Sequence, residues 1–472
     1  MNLKTVIGFA LGPLASAVLG VATVPVIAWA FTPDDVGRLN VLQVLLSFSL
    51  LLLVLGLDQA YVREFHESND RNRLLKACFT PGFLLLCVGA VAAMAFGGYV
   101  TVWLFGEANI WYFPLTLICV VATYISRFLS LILRMQERGL AFSMSQIIPK
   151  IVQLVLLCGV IYLGFSRNFS TLLWISTAST LAVVVVYAWN TRQQWMLSIP
   201  AQVKFEEYRG LLKYGFPLVF SGLAYWGLTA SSIVILHNRS TLAEIGIYSV
   251  ASSFAASAAI FQSIFTVVWA PAIYKLAARE LDVSRVEGIA HQALALVCAI
   301  FAIAGIFSWV VDYMLPRHYV GVKYLILCAI TPPVFYTLSE ITGIGIGISR
   351  RTALTIWVTL VALAANLLLG FWLIPTQGAA GAVLANAFSY LIFFFARTEA
   401  SAFVWTKFSR KKLYIFTTLM TTLAMFGVVR GAQLPIPIAF IWVAIFPFLM
   451  WCFKNEWMEI FAYFKKRELQ KA

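Results

Sequence analysis

Charge is what this sequence has least of. Of its 472 residues only 11% are Asp, Glu, Lys or Arg, and the acidic ones number 20. A water-soluble domain carries about 25% charged residues. A chain this poor in charge cannot cover a water-facing surface, so lipid must solvate much of it. Histidine is scarce too, with four in the chain. The seven cysteines (Cys78, Cys87, Cys119, Cys158, Cys298, Cys328, Cys452) form no CxxC pair and no spaced His/Cys cluster, which argues against a zinc site or a disulfide framework. All lie inside apolar segments and read as small packing residues. There is no Gly-x-x-x-x-Gly-Lys-Ser/Thr loop, which argues against direct ATP hydrolysis. No metal or cofactor is expected.

What is present is apolar. Hydrophobic residues make up 61% of the chain and the mean hydropathy is +0.87. Runs long enough to span a bilayer fall near 5–31, 39–61, 78–104, 112–133, 144–165, 171–190, 214–236, 246–273, 288–311, 324–347, 353–374, 378–396, 413–430 and 435–453. The expected fold is an all-α polytopic membrane protein of about fourteen helices. Lys4, the apolar stretch after it and Ala15-Ser16-Ala17 have the outline of a signal peptide. The stretch continues to Phe31, too far for a signal core, and reads as a first, uncleaved span. No connection is long enough to fold as a soluble domain; the longest, about Asn190 to Lys213, contains Pro200 and reads as a linker between halves.

The net charge of +14 raises nucleic acid as a partner, and the position of the cations argues against it. They lie in short connections between apolar runs, as on a cytoplasmic membrane face. With the N-terminus inside, the opposite face holds only Arg38, Arg167, Arg239, Arg317, Lys323 and Arg430, a bias of roughly four to one. Both termini are then cytoplasmic. The chain also resembles itself. Pro13 in the first run is followed by Asp35-Val36-Gly37, and Pro217 in the seventh by Glu244-Ile245-Gly246. The expected organisation is an N-lobe over 1–200, a C-lobe over 201–412 related to it by an axis along the membrane normal, and two further helices with a basic tail over 413–472.

Three segments carry a family resemblance: Gly56-Leu57-Asp58-Gln59-Ala60-Tyr61-Val62-Arg63-Glu64, Glu244-Ile245-Gly246-Ile247-Tyr248-Ser249-Val250-Ala251, and Ile374-Pro375-Thr376-Gln377-Gly378-Ala379-Ala380-Gly381-Ala382. In this order and at these topological positions they resemble the Wzx-type oligosaccharide-lipid flippases of the MOP superfamily. One departure stands out: where many relatives carry an acidic residue in the seventh helix, this chain has Ser232-Ile233. A role assigned to that acid does not carry over. The resemblance implies translocation of an undecaprenyl-pyrophosphate-linked oligosaccharide from the cytoplasmic to the periplasmic leaflet of a bacterial inner membrane, by alternating access of two lobes around a central cavity. O-antigen or another surface polysaccharide would be the product, with a polymerase and chain-length machinery as partners besides the bilayer.

Such a cargo needs a protein path. Each sugar hydroxyl stripped of hydrogen bonds costs about 2–7 kcal/mol, so an unaided headgroup meets a barrier of tens of kcal/mol. Ionisable groups within the spans are the first candidates to line the path. Arg127 in the fourth run and Lys150 in the fifth, just after Pro149 with its capacity to kink, are candidates to attract the pyrophosphate. Glu340 in the tenth run is a candidate to pair with one of them as a gate. The alternative is that Arg127 and Lys150 snorkel to headgroups while Glu340 has a structural partner. Asp58 and Arg63 flank the end of the second run as cargo contacts or as a helix-end ion pair. Gln43, Asn366 and Asn386 are candidate sugar contacts, with interhelical hydrogen bonding the rival role. Trp226, Tyr225 and Trp269 can stack on sugars or form interfacial belts.

Two other functions compete. A multidrug cation antiporter of the same superfamily would share the lobes but favour intramembrane carboxylates. A membrane glycosyl polymerase or ligase would need a sizeable external loop with catalytic residues, and no paired carboxylates or Ser/His/Asp constellation stands in an accessible position. A non-enzymatic transporter of an anionic cargo is the expectation.

Overall fold

In lipid a peptide group has no water to bond, so an apolar run closes its hydrogen bonds on itself as a helix. The computed structural model describes residues 3–255, 258, 262, 283–459 and 462, and every regular element among them is helical. The helices are α1 (Leu3–Ala30), α2 (Pro33–Val54), α3 (Leu57–Glu64), α4 (Arg71–Met94), α5 (Gly97–Phe105), α6 (Tyr112–Met135), α7 (Gly139–Tyr162), α8 (Phe169–Asn190), α9 (Arg192–Ser198) and α10 (Phe205–Arg239). They continue with α11 (Leu242–Ala255), α12 (Val283–Ile306), α13 (Val310–Met314), α14 (Val322–Thr342), α15 (Ile344–Ile348), α16 (Ala353–Val404), α17 (Lys411–Arg430) and α18 (Ile438–Cys452).

Eleven of these are long and apolar enough to cross a membrane, among the described residues. The longest, α16, has 52 residues and turns at Gly378 (φ 53°, ψ −126°), which makes it two spans. With α11 and α18, apolar but shorter, the chain is a polytopic all-α membrane protein of the expected plan. Local chemistry marks the helix starts. Thr32 caps α2 ahead of Pro33, Asp70 accepts from the Asn72 and Arg73 amides at the start of α4, and Asn168 caps α8.

Several expected spans are divided; the run 324–347, for one, breaks at Gly343 into α14 and α15. The run 39–61 breaks at Leu55 (φ 53°) and Gly56 (φ 70°) into α2 and α3, and the run 78–104 breaks after Met94 into α4 and α5. Pro149, by contrast, lies inside an unbroken α7.

The chain forms two compact units, Met1–Ile233 and Val234–Ala472, and the division falls within α10. In the first, α1 packs along α7, where the Gly12 amide donates to Ser143 Oγ at 2.9 Å, and α8 packs on α6 and α7. Tyr61, Cys78, Tyr124, Phe128 and Ile132 form its core between α3, α4 and α6. In the second unit α14 packs on α16, and α17 and α18 pack on α12. Gly305 of α12 lies against the Trp442 ring of α18, the close approach that small residues allow between helices in lipid.

Candidate functional site

The broken second span creates the first unit's charged centre. Leu55 and Gly56 in the left-handed region turn the chain so that α3 starts afresh, with Asp58 in its first turn. Gly56 is required twice over, by its φ of 70° and because a Cβ there would collide with the Gly215 carbonyl of α10. Asp58 accepts from the Gln59 amide at 2.8 Å and from Arg127 of α6, whose Nε lies 3.2 Å from Oδ2 and whose Nη2 also reaches it. The carboxylate is 11% exposed and the guanidinium side chain 33%. Arg127 thus has a resident counter-ion.

Lys150 does not. It is half-buried, and among the described residues no carboxylate lies within ion-pair distance; its Nζ donates to Gln153 Oε1 at 3.4 Å. Because α7 starts at Gly139 rather than near 144, Lys150 sits at the middle of a 24-residue helix. At 1.5 Å per residue it is about 16 Å from the start of α7. That depth counts against simple snorkelling, which serves lysines near helix ends.

One end of this unit gathers cations and their partners. Arg63 does not pair with Asp58: it lies 3.6 Å from Glu64 and its guanidinium covers the Tyr214 ring at 4.5 Å. Arg73 grips Glu207 of α10 through two nitrogens, and Lys76 donates to the carbonyls of Ile199 and Ala201 at 2.6 and 2.8 Å. These contacts hang the linker and the start of α10 on α4. A cleft of about 640 Å³ opens among Arg63, Glu64, Asp70, Arg73, Glu207 and Tyr214.

The second unit has its own buried pair. Glu340 of α14 is bound by Arg397 of α16 at 2.6 Å, both side chains less than a fifth exposed. Arg397 also donates to Ser339 Oγ at 3.1 Å, and Tyr336 and Phe393 stack beside it. The expected pairing of Glu340 with Arg127 or Lys150 is therefore not the one observed, because each acid has found an arginine within its own unit. Asn366 and Asn386 are bonded to one another at 2.7 Å, and Asn386 donates to the Tyr248 hydroxyl at 2.6 Å. Asn366 is 0% and Asn386 6% exposed, and in this structure both side chains are taken up by these interhelical bonds. Gln43 is exposed on α2. One turn on, Ser47 accepts from Trp226 Nε1 at 3.0 Å, so Trp226 is packed, while Tyr225 is exposed. Trp269 and most of the basic tail lie outside the described residues.

Two of the three sequence motifs meet at a point that sequence reasoning left separate. The Glu244 carboxylate accepts from the Ala379 amide at 2.7 Å, and a Cβ on Gly378 would collide with it. The acid caps the helix that begins at the bend of α16, and the glycine makes room for the acid. Arg397 lies just past the apolar run 378–396 in the sequence, and α16 carries it as a helical residue.

A family model of polysaccharide biosynthesis proteins matches residues 3–277. Among solved structures, the fold is similar to the lipid II flippase MurJ in an inward closed conformation, with a TM-score of 0.70 and 11% identity over 97% of this chain and 100% of that one. It is similar also to an inward-facing multidrug resistance MATE family transporter of the MOP superfamily (TM-score 0.54, 14% identity, 83% of this chain and 95% of that one). A Vibrio cholerae MATE transporter gives a TM-score of 0.50 at 11% identity, covering 84% and 95%. No curated protein matches the chain in sequence. The fold is that of the MOP transporters, and the chain belongs to the family of polysaccharide biosynthesis proteins.

Proposed function

We propose that this protein flips undecaprenyl-pyrophosphate-linked oligosaccharide units from the cytoplasmic to the periplasmic leaflet of a bacterial inner membrane, for O-antigen or another surface polysaccharide. On this reading lobes 1–200 and 201–412 alternate access, residues 413–472 add two helices and a basic tail, both termini are cytoplasmic, and a polymerase with its chain-length machinery receives the product. The observation that carries the reading is Lys150, a cation with no carboxylate partner among the described residues, at the centre of a span in a chain of this family. An ammonium at membrane depth is costly without an anion, and a pyrophosphate supplies one. Arg127 is the secondary candidate, since cargo must compete with Asp58 for it. Direction follows from charge: each negative charge moving outward across 100 mV gains about 2.3 kcal/mol when the inside is negative.

The test is flipping of a fluorescent undecaprenyl-pyrophosphate oligosaccharide in vesicles containing the purified protein. A charge-assisted hydrogen bond is worth about 1.5–3 kcal/mol, so Lys150→Gln is expected to slow flipping about ten- to a hundredfold with an unchanged melting temperature. A wild-type rate equal to that of empty vesicles ends the proposal. Normal flux in the variant removes Lys150 from it. The MATE likeness keeps cation antiport as the second reading; a cationic dye extruded from the same vesicles in exchange for protons or Na⁺ would favour it.

A further inference from the structure

A second cleft in the first unit, of about 590 Å³, lies between the loop before α4 and the ends of α6 and α9. That volume is within the range of small-molecule sites. Five carboxamides line it: Asn69, Asn72, Gln136, Gln193 and Gln194. Among the described residues, none of these five side chains makes a hydrogen bond within the protein. Many carboxamides elsewhere are in use. Asn109 and Asn168 accept from backbone amides, Asn190 donates to the Val186 carbonyl, Gln59 donates to Asp58, and Asn366 and Asn386 hold each other.

The lining of this cleft carries one acid, Asp70, and one base, Arg71, so it bears no net charge. Asp70 accepts from the Asn72 and Arg73 amides as the cap of α4, and the Arg71 guanidinium lies over the Phe65 ring at 4.7 Å. Beneath the amides the floor is apolar, made of the buried Tyr61, Phe65, Leu75 and Ile132. A carboxamide offers two donors and an acceptor without charge, a set that pairs with neighbouring hydroxyls. An apolar floor beneath such a rim suits the C–H face of a sugar ring.

From this arrangement we propose that the cleft binds an uncharged, hydroxyl-rich saccharide, the glycan part of the transported lipid. The inference rests on the flippase reading and extends it by giving the glycan a site apart from the cations that serve the pyrophosphate. It also couples the two, since α3 carries Asp58, the partner of Arg127, and one turn later Tyr61, part of the cleft floor.

The test uses the full chain in nanodiscs and the neutral oligosaccharide released by mild acid from the producing strain's lipid-linked pool, free of lipid and phosphate. Wild type is expected to bind it, and the pair Gln136→Leu with Gln194→Leu to weaken binding about tenfold or more, the loss of one or two hydrogen bonds. These side-chain amides bond nothing among the described residues, so the melting temperature should hold; Gln136→Ala with Gln193→Ala repeats the test if the leucine pair folds poorly. Absence of wild-type binding, or equal binding by wild type and folded variants, overturns the cleft. Flipping by the wild type is scored separately. A protein that flips lipid but binds no released glycan refutes the cleft alone, and one that binds glycan through these amides but flips nothing refutes transport alone.

Discussion

Replacing Asp58 by Asn would remove one charge at the broken second span while keeping a side-chain oxygen for the Gln59 amide, now 2.8 Å away. Arg127 would then sit one-third exposed with no carboxylate at its Nε or Nη2. Breaking a fully buried pair from one side costs about 3–5 kcal/mol, whereas an exposed pair is worth about 0–1 kcal/mol. With the acid 11% and the arginine 33% exposed, the structure lies between these limits, and about 2 kcal/mol is the expected loss. A double-mutant cycle with Arg127→Gln isolates the pair, and its coupling energy should be about 1–2 kcal/mol. Denaturant unfolding in detergent measures it, provided the wild type unfolds in a single transition. The exchanged pair, Asp58→Arg with Arg127→Asp, should recover part of the loss. A coupling energy below about 0.5 kcal/mol, the scatter of independent sites, would show that the two side chains are neighbours without being partners.

Other substitutions test the backbone and the polar contacts. Gly56→Ala meets both a positive φ and the Gly215 carbonyl, so it should lower the melting temperature more than the 1 kcal/mol or so of a strained φ alone; an unchanged melt would mean that α3 and α10 separate freely. Glu244→Ala removes the acceptor at Ala379 and should cost about 1 kcal/mol, the usual worth of a helix cap, while Glu244→Gln should retain roughly half; equal melts for all three proteins would discount the cap. Asn386→Leu breaks two bonds at once and leaves Asn366 and Tyr248 buried, for a loss of about 1–2 kcal/mol visible as a lower melting temperature with the rate of flipping per folded molecule unchanged.

The membrane class, the number of spans and the placement of the turns were open to reading from the chain alone. Each of these follows from a local property, the length of an apolar run or the identity of the residues between two runs, and a peptide in lipid has few alternatives to a helix. The Pro375-to-Gly378 turn was legible for the same reason: glycine there is a statement about backbone angle. The break at Leu55-Gly56 was not, because the apolar run passes through it without interruption, and the Gly215 backbone that packs against the bend lies far along the sequence. Partners were equally hidden. Arg127, Lys150 and Glu340 are visible as charges out of place, yet Arg127 is satisfied by Asp58 and Glu340 by Arg397, while Lys150 meets no carboxylate among the described residues. Sequence could show that a charge lies in a span, since that depends on its own neighbours in the chain. Whether the charge is neutralised depends on which helix lies a few ångströms away, and only the packed structure decides that.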